Sequence, residues 1–468
     1  MFGLFRPKCP VDAREQAWIE LRMAWLGEQL GWDTLRDAKT VLPTGDFFPL
    51  PYDGSESAAQ TIYSRVCEYA RQDAKELPVT FFDDQADPSE RLVFGPDFLT
   101  TTHGLLACDP GSSSHSARLY IGQSVMGNLE ALIAFFARGI AGYRLVRDRR
   151  ISQMSEDFHQ IVELMPIWFG LGIFTANTVL VESSGQSATG VGGSLNARST
   201  LQARHFGYAL ALASWMTGET QPSWSRHLRR DAEATCVDGL KYLTKTGDAW
   251  FSPDSPTPSR SLSALEADLK SGTDGRRMLA LWAVQDWPNE NEDEKRRLSD
   301  LVAENLRHHN PIVRTDALAT LDRLGPAAEP HFQEIVLALT DPKPTVRQAA
   351  AFAIGGTARE PEMVLPELVQ VLKDANLSVV NAATWAVGRY GQTAKETAPH
   401  LVRVLKLGLV RVQEVLINQA VDSLMAVTDD PEAVINEVFE DGDLELARHA
   451  LEAVAARRVQ MSPSSDQT

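Results

Sequence analysis

The chain has 468 residues, of which 44% are hydrophobic and 23% charged, an ordinary composition for a soluble globular protein long enough for two or three domains. A formal net charge of −17 argues against a general binder of nucleic acid or anionic membrane, because phosphate attraction depends on basic surface. Cys9, Cys67, Cys108 and Cys236 form no CxxC pair, which leaves out a zinc ribbon or dithiol motif and fits a reducing compartment.

The opening MFGLFRPKCP is too short in apolar run for a signal peptide, and no stretch reaches eighteen uninterrupted apolar residues, so a cytoplasmic protein is expected. Residues 11–30 read as a helix with Trp18, Leu21, Trp25 and Leu26 on a shared face, and 57–71 as a second carrying Ile62, Val66 and Tyr69. Between them 41–51 (VLPTGDFFPLP) is extended, because proline blocks regular helix. Residues 79–82, 92–94, 104–108 and 117–122 are short and β-prone, and suggest a small antiparallel sheet.

Two buried helices then dominate. In 128–143, Leu129, Leu132, Ile133, Phe136, Ile140 and Tyr143 recur at helical spacing, and 157–177 (DFHQIVELMPIWFGLGIFTAN) is apolar almost throughout. The basic run Arg144, Arg147, Arg149 and Arg150 sits at the end of the first, where cations complement the helix dipole. The Gly/Ser-rich stretch 183–199 reads as a flexible loop, followed by helices at 205–217 and 227–243.

This half resembles a group of bacterial proteins with a zincin-like, metallopeptidase-like domain, in which the first helix carries HELAH within a stretch such as EALIATLAHELAHV. Here the corresponding run is EALIAFFARGIAGY, and downstream HQIVELMPIWFGLGIFTAN is similar to the group's EPLTDLLTVFLGLGIFTAN. The resemblance extends to AWIELRMAWLGEQLGW, FFPLPYDGSESAA and FGYALALASWMTGE, and FGLGIFTAN is its most specific part. An HExxH site needs two histidines one helical turn apart, a glutamate as general base and a third ligand from another segment. Carried over residue by residue, Arg138 stands at the first histidine, Gly139 at the base and Gly142 at the second histidine. His159 falls at the acidic third ligand, and Glu163 at its acidic neighbour. The resemblance therefore implies a degenerate site with no metal and no cofactor. Arg138 is expected to reach Glu163, its guanidinium supplying the positive charge a metal would have supplied.

Residues 252–260 (SPDSPTPSR) form a Pro/Ser-rich linker, and beyond it a repeat begins. Val313, Val346 and Val379 are spaced by 33, as are Ala317, Ala350 and Ala383; Leu321, Ile354 and Val387; Val336, Val369 and Val402; and Leu339, Leu372 and Leu405. An earlier copy from Leu265 matches the one from Leu368 at an offset of 103, three periods plus four residues, and helices at 413–427 and 444–457 look like a cap. The paired helical patterns resemble short HEAT-like repeats, which stack into an α-solenoid with an extended face for partners. Arg314 with Asp341, and Arg347 with Asp374, recur at fixed positions and suggest a polar ladder between repeats.

The expected architecture is an α+β zincin-like domain over 1–251, the linker, an all-α HEAT-like solenoid over 261–457 and a tail over 458–468. The function expected is a non-catalytic scaffold that binds a protein partner on the solenoid surface, with neither nucleic acid nor membrane as partner. A metal-dependent peptidase with unorthodox ligands, or a lyase-type protein built on HEAT-like repeats, stands as the alternative.

Overall fold

The computed structural model of the chain describes residues 7–82, 98–101, 104–108, 117–152, 155–187, 190–197, 200–287, 291–439 and 443–461. It divides into two units, Met1–Ser259 and Arg260–Thr468.

In the first unit α1 (Ala13–Leu30) starts from a reciprocal cap: the Asp12 carboxylate accepts from the Arg14 and Glu15 amides, and Glu15 accepts from the Asp12 amide. A short α2 (Trp32–Asp37) and α3 (Glu56–Ala70) follow, with the 41–51 segment between them free of helix, as its prolines require. Strands β1 (Val79–Phe82), β2 (Phe98–Thr101), β3 (Gly104–Cys108) and β4 (Ala117–Gly122) form one sheet in the order β1-β4-β3-β2. The expectation of an all-antiparallel sheet is corrected here. The β2–β3–β4 meander returns the chain to β1 with β4 running parallel to it, Val79 opposite Leu119. The strand expected at 92–94 lies outside the described residues.

After α4 (Gln123–Met126) comes the central helix α5 (Leu129–Arg147), capped by Asn128, whose side chain accepts from the Ala131 amide at 3.0 Å. Nearly every residue from Ala131 to Leu145 is buried, against α3, α6, α7 and the sheet, with the Tyr63 and Phe136 rings 4.9 Å apart. The second apolar stretch is not one helix. It breaks into α6 (Phe158–Leu164), a 3₁₀ turn (Met165–Phe169) and α7 (Gly172–Asn177). Pro166 supplies no amide to continue the helix, and Gly170 takes φ = 75°, where its carbonyl accepts from the Val41 amide at 2.9 Å.

A second correction concerns 183–199. Instead of a loop, the chain forms an antiparallel hairpin, β5 (Leu180–Ser187) with β6 (Gly190–Ala197), in continuous register from Leu180–Ala197 to Ser187–Gly190. Ladder bonds are made by backbone groups, so a stretch of small residues does not preclude them. Helices α8 (Ala203–Met216) and α9 (Arg230–Thr246) close the unit and pack on each other.

The second unit is all helix: α10 (Leu262–Ser271), α11 (Asp274–Gln285), α12 (Glu292–Glu304), α13 (Pro311–Leu324), α14 (Phe332–Leu337), α15 (Pro344–Thr357), α16 (Pro361–Val371), α17 (Leu377–Arg389), α18 (Ala398–Arg411), α19 (Glu414–Val427), α20 (Pro431–Val438) and α21 (Leu444–Met461). Helices α11, α13, α15, α17 and α19 pack in succession. Four of the five sequence columns, those led by Val313, Ala317, Leu321 and Leu339, are buried at every position, which is what stacked repeats require of their shared core. At the C-terminal end α20 intervenes between the two expected helices, and α21 packs on α18, α19 and α20.

Candidate functional site

The five positions carried over from the zinc motif lie on α5 and α6, two helices in contact. Arg138 is buried, and its Nη2 donates to the Thr175 carbonyl and the Thr178 hydroxyl, each at 3.4 Å. A β-carbon on Gly139 would stand 2.6 Å from Leu119 Cδ2 of β4, so this position has no room for a side chain against the sheet as packed. Gly142 is buried. His159 is exposed, its ring edge-on to Phe158 at 5.8 Å. Glu163, one turn on, is buried, and its carboxylate accepts from the Thr200 amide at 3.0 Å and the Leu201 amide at 3.2 Å.

Among the described residues no ion pair joins Arg138 to Glu163, so the direct contact expected between them is corrected. Among the bonds they make, the cation donates to a carbonyl and a hydroxyl oxygen at the end of α7, and the anion accepts from amides leading into α8. Such donors and acceptors replace the lost hydration of a buried charge directly.

Most of the basic cluster at the end of α5 is also committed locally. Arg144 donates to the Ala70 carbonyl at 3.0 Å and stacks over Phe169, Arg147 pairs with Glu76 and Asp148, and Arg150 with Asp148. Burial pushes the Cys67 thiol up to about 11 and the Cys236 thiol to about 12, which makes both poor nucleophiles at neutral pH.

Two polar constellations of this unit carried no sequence signal. Glu20, fully buried on α1, accepts from Gln16 Nε2 at 2.9 Å, the Tyr208 hydroxyl at 2.8 Å and the Trp250 amide at 2.7 Å, tying α1, α8 and the segment after α9 together. Burial pushes its carboxyl up to about 7 against these donors. Asn177, the last residue of FGLGIFTAN, donates to Glu130 at 3.2 Å and to the His227 carbonyl at 2.8 Å, and accepts from the Arg229 amide at 2.8 Å.

In the second unit the structure brings each arginine of the repeat to its aspartate. Arg314 makes two parallel bonds to Asp341, 2.8 and 2.9 Å, and Arg347 two to Asp374, 2.7 and 2.9 Å. Each guanidinium also caps a backbone: Arg314 Nη1 donates to the His308 carbonyl at 2.7 Å, and Arg347 Nη1 to that of Asp341 at 2.7 Å. A further rung was missed in the sequence. Arg277 donates to the Asn305 side chain at 2.8 Å and to the Gly272 carbonyl at 2.9 Å, one repeat earlier. These rungs fix the turns that lead into the helices they flank.

Residues 332–418 match the HEAT repeats family, and these residues lie within the succession of packed helices of the C-terminal unit. No curated protein matches the chain. Similar solved structures include two engineered proteins, one 16% identical over 42% of this chain and 96% of its own with a TM-score of 0.30, the other 13% identical over 93% and 98% with a TM-score of 0.32. Kap121p is 12% identical over 70% of this chain with a TM-score of 0.31, and the match spans 36% of its length. Among the described residues no helix is long and apolar enough to cross a membrane.

Proposed function

We propose that the chain is a non-catalytic interaction scaffold, a degenerate zincin-like α+β domain joined to a HEAT-like solenoid that binds a protein partner. The observation that carries the first half is the chemistry of α5: a buried arginine and two glycines stand where lone-pair donors and a general base would be needed, and the Gly139 position is filled by Leu119. Pseudo-metallopeptidase is the reading of that unit.

The second half rests on what the repeats expose. On α15 and α17, Phe352 is 39% exposed and lies 5.4 Å from the Trp385 ring, over which the Arg389 guanidinium sits at 5.8 Å. Val412, on the turn from α18 into α19, and Val415, in the first turn of α19, are 83% and 72% exposed. Apolar and aromatic side chains left in solvent on successive repeats suit a protein surface better than a polyanion, given the net charge of −17.

The test is retention of partners from the native cell lysate by the chain and by Phe352→Glu and Val412→Glu, each checked for fold by circular dichroism. The reading expects a defined protein whose retention falls at least tenfold in one of the two variants. Retention of nothing specific, or of a partner indifferent to both changes, contradicts it.

A further inference from the structure

We propose that Asp274, His308 and His309, at the turn between the first two repeats, form a binding site for a divalent transition metal of zinc type. The site lies in the second unit and does not involve the degenerate positions on α5 and α6. His308 Nε2 is 3.7 Å from one Asp274 oxygen and His309 Nε2 is 3.8 Å from the other. One ligand atom from each of the three residues can be chosen so that all lie within 4.8 Å of one another. Two imidazoles and a carboxylate are a donor set that zinc accepts, and donors about 2.0–2.1 Å from a tetrahedral ion stand roughly 3.4 Å apart. The two measured separations, one to each carboxylate oxygen, would close by a few tenths of an ångström, while the three-ligand set as a whole, spread over as much as 4.8 Å, needs a larger movement, which His309 can supply because its side chain is 79% exposed.

The surroundings hold the ligands in place. Asn310 Nδ2 donates to Asp274 Oδ2 at 2.6 Å and orients the carboxylate. The guanidinium of Arg314, itself clamped by Asp341, donates to the carbonyls of both His308 and His309, at 2.7 and 3.1 Å, so the backbone carrying the two imidazoles is fixed by the polar ladder. Such outer contacts orient metal ligands and raise affinity.

Binding has one local cost. The Asn310 amide donates to His308 Nδ1 at 3.2 Å, and coordination through Nε2 moves the ring proton to Nδ1 and ends that bond. The fourth position is left to water, since the cluster opens to solvent at His309.

The test uses the untagged chain. Cobalt titration followed by visible absorption, and zinc titration in competition with a chromophoric chelator, are expected to give one equivalent bound. His309→Ala and Asp274→Asn are each expected to weaken binding at least tenfold. His309 is exposed, and Asp274→Asn keeps a side-chain oxygen to accept from Asn310, so both variants should fold, which circular dichroism checks. No binding by the parent chain, or unaltered affinity in both variants, overturns the proposal.

Discussion

Arg347 and Asp374 meet fork to fork, through bonds of 2.7 and 2.9 Å, and the Asp374 carboxylate turns its Oδ1 on to the Asn376 amide at 2.8 Å. One side chain therefore joins α15 to the turn that leads into α17. Asp374→Ala should destabilise the repeat array by about 1.5–3 kcal/mol, the range for a charge-assisted bond lost from a largely buried site. Arg347→Lys should lose a smaller part of that, because an ammonium keeps a charged contact but cannot make two parallel bonds. Urea unfolding measures both. Arg347 holds the Asp374 pKa below its ordinary value. This share of stability is therefore present above the usual carboxylate range and lost as pH falls through the folded value, and Asp374→Asn should flatten that acid limb.

Glu20 predicts the opposite sign. Its folded pKa of about 7 lies above the ordinary 4.5, so the native state holds a proton there that the unfolded chain has released. The N-terminal unit should lose stability as pH rises from about 4.5 through about 7, by an amount on the order of 3 kcal/mol. Glu20→Gln stays neutral and can serve Tyr208 and Trp250 with one donor and one acceptor. It should fold and lose this pH slope, as thermal melts across the window will show.

Gly139 packs its bare α-carbon on Leu119, and that contact shapes how α5 meets the sheet. Gly139→Ala should cost about 1–3 kcal/mol through overpacking. Adding Leu119→Ala should remove most of the extra cost, so a double-mutant cycle should return a coupling energy of about 1 kcal/mol or more.

Asn177 uses its amide nitrogen for two acceptors and its oxygen for one donor. Asn177→Asp keeps the shape but turns a carboxylate oxygen toward Glu130 and the His227 carbonyl. A loss of about 1–2 kcal/mol is expected in thermal or urea unfolding, larger than for Asn177→Ser, because a half-buried acceptor facing acceptors loses part of its hydration without compensation.

What could be read in the sequence was whatever repeats or alternates. The period of 33 placed Arg314, Arg347 and their aspartates in one register, and the spacing of Leu129, Leu132 and Phe136 marked α5. Strand β4 stood out by alternation, but its parallel partner did not, since pairing direction depends on chain reversal between strands rather than on either strand's residues. The β5–β6 hairpin was hidden by small residues that carry no apolar pattern. The Arg277–Asn305 rung escaped because the acidic insertion shifts the first repeat out of register and asparagine replaces aspartate. Glu20 and its partners Tyr208 and Trp250 are far apart in the chain, and a contact of that kind leaves no local trace. The Arg138–Glu163 expectation came from charge alone, which gives no sign of the oxygens at the end of α7 to which Arg138 donates or of the amides before α8 from which Glu163 accepts.

Metal analysis of the His309→Ala chain, combined with a peptide-hydrolysis assay, tests the degenerate site most directly. The account predicts no retained zinc after chelator dialysis and no cleavage of a mixed peptide pool, with or without added zinc. One equivalent of zinc, or zinc-dependent cleavage abolished by Glu163→Gln, would contradict it.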